Sequence, residues 1–162
     1  MSKAENIVTS IKVEIDAPAS VVWDVLVDLP RYPEWNPFTA KVESTLKVGD
    51  EIHLYIPAPG APGEFIHVVE YMAAVEPCQL LSWEQRPGAG SKDAARRDQY
   101  IEALGPERSA YFTTDIFLGL NADSIMKNFG AWVQQGFDAL ALCLKTRAER
   151  VYAERRAAAA TH

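Results

Sequence analysis

Covalent and metallic staples are scarce in this chain, whose 162 residues include only two cysteines and three histidines. Cys78 and Cys143 lie far apart and match neither a zinc spacing nor a CxxC motif, and two thiols are too few to staple a secreted domain. Both read as reduced core thiols. His67 stands three residues before Glu70, a spacing that sends two strand side chains to opposite faces; His53 reads as facing outward, and His162 belongs to the tail. No metal site and no cofactor are expected, since GxSxG, a Gly-rich phosphate loop and a Walker lysine are all missing. Ser44-Thr45-Leu46-Lys47 and Ser124-Ile125-Met126-Lys127 satisfy SxxK without the companion motifs of serine acyl enzymes. Positive charge is also short: 16 Lys plus Arg against 22 Asp plus Glu give a net charge of -6. That balance disfavours nucleic acid and anionic membranes as partners. No apolar run reaches the ~20 residues that span a bilayer, and Met1-Ser2-Lys3-Ala4-Glu5-Asn6 lacks the basic and apolar parts of a signal peptide. A cytoplasmic protein without stable membrane insertion is expected.

What is present is a globular composition, 48% hydrophobic and 23% charged. A chain of this size hides roughly 70% of its extended surface, enough for one core with an internal pocket. The expectation is a single domain over 1–162, with about 157–162 as a frayed tail.

From Ile7 to Ile15 apolar and polar residues alternate, which predicts a strand burying Ile7, Thr9, Ile11, Val13 and Ile15. After Asp16-Ala17-Pro18, Val21, Val22, Val25, Leu26 and Leu29 recur at helical spacing. Pro30, Pro33 and Pro37 then leave room only for a short helical turn. Six strands follow: 40–46, 51–56, 65–75, 80–85, 97–103 and 109–118, separated mostly by Gly and Pro and most simply antiparallel. Finally Asn121, a plausible N-cap, opens one long helix to Arg150, about 45 Å in length, that is needed to cover the apolar face of the sheet. A strongly twisted sheet curves around such a helix and leaves space between them.

The faces of these elements supply candidates. Ile52, Leu54 and Ile56 point to the helix side. Trp35 and Phe38 close one end of the core or roof a cavity with a flat apolar surface. Trp83 and Gln85 offer an aromatic wall and a neutral hydrogen-bonding group. Arg97, Gln99 and Ile101 share one face, as do Tyr111, Thr113, Asp115 and Phe117; if both faces are inward, Arg97 and Asp115 are expected to pair, because an uncompensated buried charge costs several kcal/mol. Ile125, Phe129, Trp132, Gly136 and Leu140 form a helical stripe in which Gly136, costly by up to ~1 kcal/mol against alanine, admits a neighbour or a ligand.

The opening Ile15-Asp16-Ala17-Pro18-Ala19-Ser20-Val21-Val22-Trp23-Asp24-Val25-Leu26, with Tyr32-Pro33-Glu34-Trp35-Asn36-Pro37-Phe38, resembles the START-like (SRPBCC) superfamily, in particular its polyketide cyclase/dehydrase and lipid-transport branch. Val48-Gly49-Asp50, Val75-Glu76-Pro77 with Leu81-Ser82-Trp83, Phe117-Leu118-Gly119 and Gly136-Phe137 through Lys145 extend the resemblance over nearly the whole chain. It implies an α+β helix-grip fold: a seven-stranded curved antiparallel sheet around a long C-terminal helix, with two short helices after the first strand. It also implies a cavity lined by Val68, Glu70 and Met72, where Glu70 reads either as a rim carboxylate in water or as a functional acid.

Three functions compete. The leading one is binding of a small hydrophobic or amphipathic molecule, lipid-, polyketide- or aromatic-like, in that cavity. The second is a cofactor-independent cyclase, aromatase or dehydratase with Glu70, Arg97, Tyr111 and Asp115 as candidate catalytic groups. The third is a co-chaperone-like interaction module with a vestigial cavity. Oligomeric state stays open, a homodimer included.

Overall fold

Alternating apolar and polar residues along the chain build one antiparallel sheet in this computed structural model, which describes residues 6–88 and 92–161. The strands are β1 (Ile7–Thr9), β2 (Val13–Ile15), β3 (Lys41–Ser44), β4 (Glu51–Pro57), β5 (Phe65–Glu76), β6 (Leu80–Gln85), β7 (Ala95–Gly105) and β8 (Arg108–Phe117). Their order across the sheet is β1-β8-β7-β6-β5-β4-β3, with β2 also paired to β8. Between β2 and β3 lie helix α1 (Ala19–Val27) and a 3-10 turn (Leu29–Glu34); helix α2 (Ala122–Ala160) follows β8. Register shifts between Met72 and Ala74 and between Ala103 and Gly105 mark irregularities of the kind that bend a sheet.

The first strand departs from its expected pattern. Four steps from Thr9 to Val13 oppose three from Thr114 to Tyr111, so one extra residue enters between β1 and β2. The Ser10 N–H donates to the Thr113 carbonyl (2.9 Å), and the displaced Ile11 N–H donates to Asp138 Oδ1 on α2 (2.8 Å). Because strand side chains alternate with period two, that slip exchanges the faces: Val8 and Ser10 are buried, Ile11 is exposed, and Val13 and Ile15 return to the core.

Helix α1 buries Val21, Val22, Trp23, Val25 and Leu26. In the proline-cut turn after it, the Tyr32 hydroxyl donates to the Leu26 carbonyl. Asn36 Oδ1 accepts from the N–H groups of Phe38 (3.0 Å) and Thr39 (2.8 Å), which fixes the crossing into β3 and turns Phe38 inward.

Helix α2 runs ten residues beyond the expected end at Arg150. Its added turns are tied down: Arg155 pairs with Asp24 on α1 at 2.8 Å, and Tyr152 and Arg156 both reach Glu107 in the β7–β8 turn. Asn121 stands at the expected N-cap position and its carbonyl accepts from the Ile125 N–H (2.9 Å), but its side chain makes no capping bond; it donates instead to Asp93 Oδ1 (2.9 Å) and joins the start of α2 to the β6–β7 connection. The core sits between sheet and helices, with Ile15, Leu26, Ile52, Met72, Leu81, Leu140 and Leu144 fully buried. Among the described residues no helix is long and apolar enough to cross a membrane.

Candidate functional site

Pairing register places Pro57, Phe65, Gln85, Ala95 and Phe117 at one end of the sheet, beside the start of α2. Burial falls off toward that end. Along β4, Ile52 and Leu54 are buried and Ile56 is half-buried; along β5, Met72 is buried, Glu70 and Val68 are half-buried, and Ile66 is 40% exposed. Up α2, Leu140, Phe137 and Val133 are buried, Trp132 is half-buried and Phe129 is 48% exposed. Cover over the concave face is therefore complete around Met72 and Leu140 and thins between β5 and the first turns of α2, where Leu118, Leu120 and Phe129 are exposed; this thinly covered end is the candidate hollow.

Deep in this hollow lies a polar cluster carried by β7 and β8. Arg97 is 5% exposed, and its guanidinium donates through Nε to Thr113 Oγ1 (3.2 Å), through Nη1 to Thr39 Oγ1 (3.3 Å) and through Nη2 to Gln99 Oε1 (3.4 Å). Two rings lie against it, with Cζ 4.4 Å from the centre of Phe137 and 5.2 Å from that of Trp83. Tyr111 Oη donates to the same Gln99 Oε1 at 2.8 Å. Burial pushes the Tyr111 phenol up to about 12, against the pull of Arg97, so the hydroxyl stays neutral.

Arg97 and Asp115 do face inward on adjoining strands, directly opposite each other, but they do not pair: no nitrogen of Arg97 lies within 4.0 Å of a carboxylate oxygen among the described residues. The fork is already occupied by neutral acceptors and clamped by two rings, which correct the expected ion pair. Asp115 Oδ1 is left buried without a hydrogen-bond partner among the described residues, and so is Gln99 Nε2. Burial pushes Asp115 up to about 7, with Arg97 opposing the rise and Asp98 adding to it. Burial likewise pushes Glu70, on β5 across the hollow, up to about 8; the Asp115 charge adds to this and Arg97 works against it. Two carboxyls with raised pKa values, in reach of one guanidinium, thus face the same space. A carboxyl that titrates near neutral pH can give up a proton or take one there.

Other candidates fall out differently. Gly136 admits a neighbour: a Cβ there would lie 2.7 Å from Phe38 Cε2, and Phe38 fills the space with Trp132 and Phe137 against its ring at 5.3 and 5.4 Å. Phe38 is thus a core plug. Trp35 does not stand at the mouth; it lines an outer groove with Glu34, Cys143, Thr146, Arg147 and Arg150, which also takes Cys143 out of the core interior. Trp83 is buried as the support of Arg97, while Gln85 and Ile125 are half-buried and Phe117 is 9% exposed. His53 and His67, read separately in the sequence, meet: His53 Nδ1 is 3.0 Å from His67 Nε2, and Glu51 Oε2 is 3.2 Å from His53 Nε2. Among the described residues no group of three or more His, Cys, Asp or Glu is arranged to hold a metal ion. Thr39 escaped the sequence reading because it belongs to no strand face; the doubled hydrogen bond of Asn36 that seats it is visible only in three dimensions.

A curved antiparallel sheet gripping a long C-terminal helix is the helix-grip fold of START-like proteins, and solved structures bear out the likeness. The Zhui aromatase/cyclase from a Streptomyces species superposes with a TM-score of 0.70 at 22% identity, covering 89% of this chain and 93% of that one. A START superfamily protein from Mycobacterium smegmatis gives 0.63 at 17% identity, over 90% and 98% of the two chains. Norcoclaurine synthase from Thalictrum flavum, as a point mutant with a transition-state analogue, gives 0.61 at 15%, over 91% and 96%. No curated protein matches the sequence. The family model described as polyketide cyclase / dehydrase and lipid transport matches residues 6–141, and the chain belongs to that family.

Proposed function

We propose that the hollow binds a small, mostly apolar molecule bearing oxygen functions and catalyses proton transfer on it, as a cofactor-independent cyclase, aromatase or dehydratase. The observation that carries this reading is the pair Glu70 and Asp115: two carboxyls held up to about 8 and about 7 in one hollow, the second with a buried oxygen lacking any partner. A structural role would have closed Asp115 onto Arg97, its cross-strand neighbour. Burying carboxyls without such closure costs stability, and function is the return on that cost.

The chemistry follows from the protonation states. A carboxylate form takes a proton from a carbon beside a carbonyl while a protonated partner gives one to the carbonyl oxygen, producing an enol. Its carbon attacks a second carbonyl of the same chain as the enol O–H proton returns to a carboxylate and the new alkoxide takes a proton from a carboxyl. Removal of a proton from the adjacent carbon with protonation of the new hydroxyl then releases water and leaves a carbon–carbon double bond. Arg97 favours negative charge on whatever oxygen develops it nearby. The likeness to an aromatase/cyclase supports this reading. Binding without turnover is the second reading, favoured by the apolar rim of Leu118, Leu120 and Phe129.

The test offers a synthetic poly-β-keto thioester to the purified protein and follows the ultraviolet absorbance of the aromatised product. Turnover that drops at least a hundredfold in Glu70→Gln or Asp115→Asn, with binding of an apolar fluorophore retained, supports catalysis. Binding without turnover in the wild type assigns the hollow to carriage.

A further inference from the structure

Among the described residues the buried side-chain atoms without a hydrogen-bond partner are one donor, Gln99 Nε2, and one acceptor, Asp115 Oδ1. They are not scattered. Gln99 stands opposite Thr113 and Arg97 opposite Asp115, so Gln99 and Asp115 are diagonal neighbours on the inward face of β7 and β8. Diagonal pairs of this kind lie about 7–8 Å apart, close enough for one small group to touch both side chains. Gln99 is 2% exposed, and its other amide atom is committed twice, to Arg97 and to Tyr111, which fixes which end of the amide looks for a partner. Buried donors and acceptors are paired in stable complexes, so whatever occupies the hollow should complete both.

We propose that the polar end of the ligand is a single uncharged hydroxyl of phenol or enol type, accepting from Gln99 and donating to Asp115. This deepens the function proposed above and rests on the same hollow. A hydrocarbon end leaves both atoms unpaired. A carboxylate has no hydrogen to give and would set a third acidic group beside Glu70 and Asp115, whose mutual repulsion already raises Glu70. Nor is Arg97 presented to receive it, since its nitrogens are engaged by Thr39, Thr113 and Gln99 and the Phe137 and Trp83 rings lie against it. Gln99 is then a specificity residue.

Three probes of one shape test this on the full chain at pH 7.5: naphthalene, 2-naphthol and 2-naphthoate, by quenching or enhancement of their own fluorescence. The expected result is 2-naphthol bound at least tenfold more tightly than the other two, with the margin reduced to threefold or less in Asp115→Leu. Gln99→Met should do the same if it folds; the wild-type ranking decides the matter if it does not. Equal affinity for naphthalene and 2-naphthol overturns the proposal, as does tighter binding of 2-naphthoate. Failure of all three probes to bind overturns the ligand-binding hollow beneath it, a different result from a wrong ranking.

Discussion

Arg97 and Asp115 stand opposite each other in the register of β7 and β8, yet the guanidinium serves two threonine hydroxyls and a glutamine carbonyl and leaves the carboxylate unmatched. A charge pair in that position would have been inert. Its separation leaves a fixed positive charge and two carboxyls of raised pKa in one hollow.

Stability should decline as the pH rises through the neutral range. Glu70 moves from 4.5 to about 8 on folding and Asp115 from 3.8 to about 7, so the folded chain binds more protons than the unfolded one between those values. Their contribution is whole below about pH 4 and is lost as each passes its folded value. Urea midpoints should fall between pH 5 and pH 8.5, and the double variant Glu70→Gln with Asp115→Asn should lose most of that slope and gain about 2 kcal/mol or more at pH 8.5. An unchanged slope would contradict the burial of these groups.

Arg97 lowers both carboxyls, so Arg97→Met should raise both above about 8 and about 7. Carboxyl carbon chemical shifts followed through a pH titration measure this directly. A downward movement of either would place the guanidinium out of reach.

Replacing Gly136 with alanine would raise helix propensity in isolation, but here the new methyl meets the Phe38 ring. Overpacking should outweigh propensity and cost about 1–3 kcal/mol, read as a lower melting temperature. Phe38→Leu combined with it should recover part of the loss, the signature of a shared space.

Phe129, at 48% exposure, contributes little to the core. Phe129→Ala should change stability by only about 0.5 kcal/mol while weakening binding of naphthalene-sized probes several-fold, by calorimetry. A large loss of stability with intact binding would move the mouth elsewhere.

Much of this architecture was legible in the residues. The six middle strands, the proline-cut turn and the long final helix follow from local periodicity and from Gly and Pro, and the opening segment carried the family likeness. Inward faces on β4, β7 and β8 followed from alternation, so Arg97, Gln99, Tyr111 and Asp115 were candidates, while Glu70 on β5 was a candidate through the family likeness. Alternation failed where one inserted residue near Ser10 reversed the pattern, because a bulge is set by the partner strand and by Asp138 on α2. The extension of α2 to Ala160 depends on Asp24 and Glu107, both remote in sequence.

Outside the bulge near Ser10, the chain by itself determined which side chains share a face, since that depends on strand and helix periods and on backbone preferences a few residues long. Tertiary structure alone decided which of those side chains touch: that Phe38 occupies the gap at Gly136, that Trp35 lies outside the hollow, and that Arg97 turns from Asp115 toward Thr39. Such choices depend on distances between segments far apart along the chain, where packing and desolvation outweigh any local preference.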